Sequence, residues 1–272
     1  MAELSGVGAP TKEMVGKVGD IYTDTNTDKK YKCVLSYSHK DSYTKTETTF
    51  YKWWAMPSED DASDTVESPY VKETYDMNGN LIAAEVVGVD KIRSYLFYSL
   101  TKMTSVSLPS GLTGIGGYAF KDCSSLALTS LPSGLTSIGT YAFQGCSSLA
   151  LTSLPSGIIS IGSDAFHGCS KMALTSLPSD LTTISSFAFY GCSSLALTRF
   201  PSGIKNINDY AFYGCSNLVS LTFEGTPTKI SSVAFNACSK LKTINVPWAE
   251  GAVANAPWGA TNATINYDYT GE

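Results

Sequence analysis

Phenylalanine recurs in this sequence at one fixed period: Phe97, Phe120, Phe143, Phe166, Phe189, Phe212 and Phe235 each stand 23 residues from the next. Cysteine keeps the same period at Cys123, Cys146, Cys169, Cys192, Cys215 and Cys238. A constant spacing of roughly 20 to 50 residues marks units that cannot bury an apolar face alone and therefore stack on their neighbours. Residues 92–247 are read as seven such copies, and 248–272 as a degenerate copy and C-terminal cap in which Trp258, Tyr267 and Tyr269 fall 23 residues after Phe235, Ile244 and Val246.

Each copy carries its own punctuation. Leu131-Pro132-Ser133-Gly134 reads as a type I turn with proline second and glycine fourth. Leu135 and Ile138 point inward, as do Leu112, Ile115, Ile158, Ile161, Leu181 and Ile184. Thr140, Ser163, Ser186, Asp209 and Ser232 are helix N-cap types, and Gly145, Gly168, Gly191 and Gly214 suit a helix end, which predicts a one-turn helix around Ala142 and Phe143. The fold class that follows is an α/β repeat solenoid preceded by a small all-β module. The repeated cysteines sit in one apolar context, so buried free thiols are expected rather than disulfides; Cys33 has no partner in its own module.

Two strand patterns occur. Leu218, Leu221 and Phe223, like Leu241, Ile244 and Val246, lie three, six and eight positions after cysteine. In the middle copies Leu128, Leu151, Leu174 and Leu197 stand one place earlier, and a one-residue shift reverses the face of a strand. Either these leucines form an exposed ladder beside Ser130, Ser153, Ser176 and Arg199, which would mark a binding surface, or a local bulge turns them inward.

The run A-F-x-G-C-S-S-L followed by L-P-S-G-L-T-S-I-G closely resembles the BspA-like leucine-rich-repeat surface antigens of oral and gut anaerobes, over about residues 90–247. The resemblance implies a right-handed solenoid with a sheet on one side. It also implies surface attachment and binding of host or partner proteins.

Residues 1–18 read as a leader or linker, 19–57 as a three-stranded β module, 58–71 as an acidic linker and 72–91 as an N-terminal cap. Val18-Gly19-Asp20-Ile21-Tyr22-Thr23-Asp24, Lys30-Tyr31-Lys32-Cys33 and Trp53 resemble a small module common in phage tail-fibre proteins and, more loosely, small chitin-binding modules. In such modules exposed aromatics stack on sugar rings. Trp53 is read as core, and Tyr51 and Trp54 as the ligand candidates, Trp54 by strand alternation.

Charge narrows the function further. Residues 1–90 hold 16 acidic and 9 basic side chains and residues 91–272 hold 8 and 10. No basic cluster is present to track nucleic acid or anionic lipid, and no apolar run is long enough to insert in a membrane. His39 and His167 are far apart in sequence, and Asp122, Asp164, Asp180 and Asp209 read as isolated. No catalytic, metal or cofactor motif stands out, which argues for a protein that is not an enzyme. The expected role is adhesion to a host or neighbouring-cell protein or glycan from an extracellular or cell-surface location; a virion tail-fibre part and a structural spacer are the alternatives. The first ten residues lack a secretory signal pattern, so either a natural signal lies upstream of Met1 or export needs none.

Overall fold

The computed structural model describes residues 3–6, 21–24, 30–40, 47–55, 70–75 and 80–271, with side chains at 71, 73, 74 and 80–271. Two compact units are present, and they are taken separately.

In the first unit the strands Glu3–Gly6, Ile21–Asp24, Lys30–Lys40 and Glu47–Ala55 form one sheet in that order. The first pair is parallel and the others antiparallel. Where the sequence reads three strands, four are paired. The additional one, Glu3–Gly6, comes from the segment read as a leader; a four-residue strand with one apolar residue carries no periodic signal. Tyr51, Trp53 and Trp54 lie opposite Ser36, Cys33 and Lys32. Their side chains, and with them the tail-fibre and sugar-module readings, lie outside the described residues.

The second unit is a solenoid of coils about 23 residues long. Among the described residues there is no helix, so the helical half of the α/β label is corrected. The reason lies in the backbone around Phe143. Tyr141 and Gly145 take positive φ, 58° and 74°, which turns alternate N–H groups out of the coil. Tyr141, Phe143 and Gly145 then donate to the carbonyls of Ser163, Ala165 and His167 in the next coil at 2.8–2.9 Å. A helix would direct those donors along its own axis; here they tie each coil to its neighbour, in the manner of a parallel ladder.

This turn column positions the core. Ala142, Phe143 and Cys146 and their counterparts in the flanking coils are fully buried, and consecutive phenylalanine rings stack 5.1–5.6 Å apart from Phe97 to Phe235. The thiols are tied as well. Cys146 donates to the carbonyl of Phe120 at 2.9 Å, and Cys169 to Phe143 at 3.2 Å. Burial pushes the Cys123 and Cys238 thiols up to about 12, and raises Cys146, Cys169, Cys192 and Cys215 well above the usual thiol range. All six described cysteines are free.

The inward residues read from the sequence, Leu135 and Ile138 and their counterparts, are at most 3% exposed. The turn before them is shifted by one residue: Leu135 N–H donates to the Pro132 carbonyl at 3.1 Å, so proline opens the turn rather than standing second. Two-residue rungs follow. Lys91–Ile92, Gly114–Ile115, Ser137–Ile138 and Ser160–Ile161 form one parallel sheet, and Thr183–Ile184, Asn206–Ile207 and Lys229–Ile230 another. The ladder breaks between Ile161 and Thr183. There the Ser185 hydroxyl, rather than a backbone N–H, donates to the Ile161 carbonyl at 2.7 Å.

At the C-terminal end Trp258 is fully buried, its ring 6.4 Å from Phe223 and 6.2 Å from Trp248. Ile265, rather than Tyr267, stands opposite Ile244, because the last coil is two residues shorter along its strand.

Candidate binding surface

The strand face of the solenoid carries most of the residues the sequence singled out. Ser130, Ser153, Ser176 and Arg199 are exposed there. Arg199 pairs with Glu224 at 3.5 Å. The exposed-ladder reading of the leucines fails: Leu151, Leu174 and Leu197 are at most 1% exposed, and Leu128 is half-buried. Their coils run in, out, in, out, out, in from Leu149 to Leu154, whereas Leu218 to Phe223 runs in, out, out, in, out, in. The pair of successive outward residues has moved two places along. It falls where neighbouring coils would otherwise pair, and residues 127–131, 150–154 and 173–177 accordingly form no strand. Leu151, Leu174 and Leu197 therefore belong to the core, as the inward alternative expects, and the exposed leucine ladder is withdrawn.

The turn face shows something the sequence reading did not assemble. Two adjacent columns of side chains run along it, their rings 5.8–5.9 Å apart within a coil at Tyr95–Tyr98, Phe187–Tyr190 and Tyr210–Tyr213. The first contains Tyr95, Tyr118, Tyr141, Asp164, Phe187 and Tyr210, and every one of these has φ between 54° and 63°. Aromatic residues rarely occupy this region of φ, and such backbone costs of order 1–3 kcal/mol per residue. Their rings stack in register with the coils: Tyr95 on Tyr118 and Tyr118 on Tyr141 at 4.7 Å, Phe187 on Tyr210 at 5.2 Å. The second column holds Tyr98, Lys121, Gln144, His167, Tyr190 and Tyr213, with Tyr190 and Tyr213 stacked at 4.5 Å. Tyr95 and Tyr98 are 57% and 44% exposed, so this ladder belongs to the surface and not to the core.

The polar members fit between the rings. Lys121 Nζ lies 5.7–5.8 Å from the centroids of Tyr98, Tyr118 and Tyr141. Partial burial, then the phenols of Tyr95 and Tyr141, push the Tyr118 hydroxyl above its usual range. Asp164, read as isolated, is 8% exposed and accepts a hydrogen bond at 2.8 Å from His167 Nδ1. Asp209 likewise accepts one from the Ser231 hydroxyl at 2.6 Å. An aspartate–histidine pair can orient a general base, but among the described residues no hydroxyl or thiol bonds to His167 Nε2 to act as its nucleophile. No group of three or more potential metal ligands exists among the described residues, and no helix of theirs is long and apolar enough to cross a membrane.

The signal for the ring columns was present: an aromatic recurs two places before Phe97, Phe120, Phe143, Phe189 and Phe212. That position falls inside the expected helix, and the one after phenylalanine varies, so neither marks a surface column until the turn is in place.

Comparison with known proteins agrees with this architecture. Residues 90–201 and 148–252 match the BspA type leucine rich repeat region, in six copies. The chain belongs to the BspA-type leucine-rich-repeat family. Among solved structures the solenoid is similar to a leucine-rich-repeat protein of T. pallidum, at 31% identity over 62% of this chain and 87% of that one, with a TM-score of 0.50. A leucine-rich cell surface protein of Faecalibacterium prausnitzii A2-165 aligns at 22% identity over 71% of this chain and 64% of that one, with a TM-score of 0.44. A leucine-rich-repeat protein of Bacteroides ovatus aligns at 19% identity over 75% and 76%, with a TM-score of 0.33. No curated protein matches the chain.

Proposed function

We propose that this BspA-type chain is a non-enzymatic binding protein, displayed on a bacterial surface, that holds a host or neighbouring-cell protein or glycan against its solenoid. The observation that carries the reading is the pair of ring columns along the turn face, exposed at Tyr95 and Tyr98 and half-buried in the later coils. Tyrosine offers large, rigid contact area with a polar tip at little entropic cost. In the first column the rings of Tyr95, Tyr118, Tyr141, Phe187 and Tyr210 are held on strained backbone. Surface display is supported by the resemblance to BspA-like surface antigens, and a non-catalytic role by the Asp164–His167 pair having no nucleophile among the described residues.

The test is binding of the intact chain to immobilised host-matrix proteins and to a glycan array, compared with Tyr190→Ser plus Tyr213→Ser and with Ser153→Lys plus Ser176→Lys. The tyrosine pair is expected to weaken binding by about tenfold or more, as truncating central aromatic anchors does, and the serine pair to leave it unchanged. A chain that binds no member of either panel, or whose binding follows only the serine pair, overturns the turn-face reading.

A further inference from the structure

The first ring column is interrupted once. From Tyr95 to Tyr210 five of six positions are aromatic, and the exception is Asp164. Tyr118 covers one face of Tyr141 at 4.7 Å, and Tyr210 covers one face of Phe187 at 5.2 Å. The remaining face of each ring is turned toward the coil that carries Asp164. Coils stack about 4.8 Å apart, so the two rings stand roughly 10 Å from one another. A flat group midway lies about 5 Å from each centroid, inside the roughly 6 Å reach of a cation–π contact.

We propose that this gap is a slot for an arginine side chain of a protein partner, its guanidinium lying between Tyr141 and Phe187 and meeting the Asp164 carboxylate at the floor. This deepens the binding reading above and rests on it. Ring faces are the electron-rich side of an aromatic, and a carboxylate adds a third negative element, so the slot is complementary to a planar cation. The same surface already holds one cation: Lys121 lies against three tyrosines. Two coils further on, the position of Lys121 is taken by His167, and no other lysine or arginine occurs in the second column from Tyr98 to Tyr213. His167 binds Asp164 through Oδ1, and among the described residues no group bonds Oδ2.

The experiment is a chemical-shift titration of the full chain, read at the His167 imidazole and the Tyr141 and Phe187 rings. The probes are N-acetylarginine amide, N-acetyllysine amide and a trimer of N-acetylglucosamine. The variant is Asp164→Tyr, which places in the gap the residue that the preceding coil carries at Tyr141 and so retains the fold. Arginine is expected to shift these signals and to bind about tenfold more tightly than lysine, and Asp164→Tyr to abolish the effect. Equal response to lysine, or an arginine response that survives in Asp164→Tyr, overturns the proposal. Shifts caused by the sugar trimer and not by arginine overturn it in favour of a glycan site. A partner from the panels above that binds Asp164→Tyr as well as the parent removes the slot and leaves the binding function standing.

Discussion

The cysteines show how one residue type can serve the stack without pairing. Each thiol donates to a phenylalanine carbonyl in the preceding coil, and burial raises its pKa from the ordinary 9.0. The linkage follows from the sign of that shift. The folded chain keeps these protons at a pH where the unfolded chain has lost them, so their contribution is fully present below pH 9.0 and falls as pH climbs toward about 12. Each thiol should remove about 1.4 kcal/mol of stability per pH unit in that window. Denaturant titrations between pH 8 and 11 should therefore show steep alkaline destabilisation, and Cys146→Ser, which keeps a donor but cannot ionise, should reduce the slope by one thiol's share. An unchanged slope would remove the thiols from the account. Glycine makes a different demand. A Cβ on Gly139 would stand 2.5 Å from the Gly117 nitrogen of the preceding coil, whereas one on Gly157 would meet only the Leu135 carbonyl at 3.7 Å. Gly139→Ala is expected to cost about 1–3 kcal/mol because neither backbone can yield, and Gly157→Ala less than about 0.5 kcal/mol, both read as shifts in the unfolding midpoint.

Within a single coil, the assignment of faces makes the sharpest prediction. Leu151 is fully buried while Thr152 beside it is exposed, so Leu151→Ala should cost about 2–5 kcal/mol and Thr152→Ala within about 0.5 kcal/mol. An exposed leucine ladder would give the reverse ranking in thermal melts. The period, the inward phenylalanines and Leu135–Ile138 could be read directly, because burial imposes the same residue at the same place in every coil. The face of Leu151 could not, since the spacing between Cys146 and Leu154 accommodates the extra outward residue before or after it, and only the packing of adjacent coils decides. The helix around Phe143 was misread for a related reason. Threonine before and glycine after suit a short helix and also suit a turn of alternating φ, and the choice depends on whether the N–H groups of Tyr141, Phe143 and Gly145 find partners inside the coil or in the next one. The ring columns were missed as a consequence, because they line up only once that turn is in place.

At the scale of the solenoid, the coupling between coils is uneven. Most neighbours share the turn ladder, the stacked phenylalanines and a backbone rung, but the rung is missing between Ile161 and Thr183, where the Ser185 hydroxyl takes over. The strand face offers little compensation there, its one backbone bond being Ala196 N–H to the Leu174 carbonyl at 3.0 Å. What remains is the turn ladder, in which Asp164, Phe166 and Gly168 donate to Ser186, Ala188 and Tyr190 at 2.7–3.1 Å, the Phe166–Phe189 stack at 5.6 Å, and the bonds of the Cys192 thiol to the Phe166 carbonyl and of the Ser193 hydroxyl to the Ser170 carbonyl. The Asp164 gap interrupts the first ring column at this same place, and of the surface rings only His167 and Tyr190, 4.5 Å apart and tilted by 40°, cross the seam. In a repeat array stability is close to a sum of coil and nearest-neighbour terms, so the weakest interface decides where cooperativity fails. Removing a ring beside it should divide the stack. Phe166→Ala is expected to lose about 3–5 kcal/mol and to unfold in two steps, with amide exchange protection lost on one side of residues 162–182 before the other. Phe120→Ala, at an interface with an intact rung, should lose a similar amount while leaving a single transition. Two steps in both variants would mean that any lost ring uncouples the array, and one step in both would mean that the turn ladder alone carries the coupling across the seam.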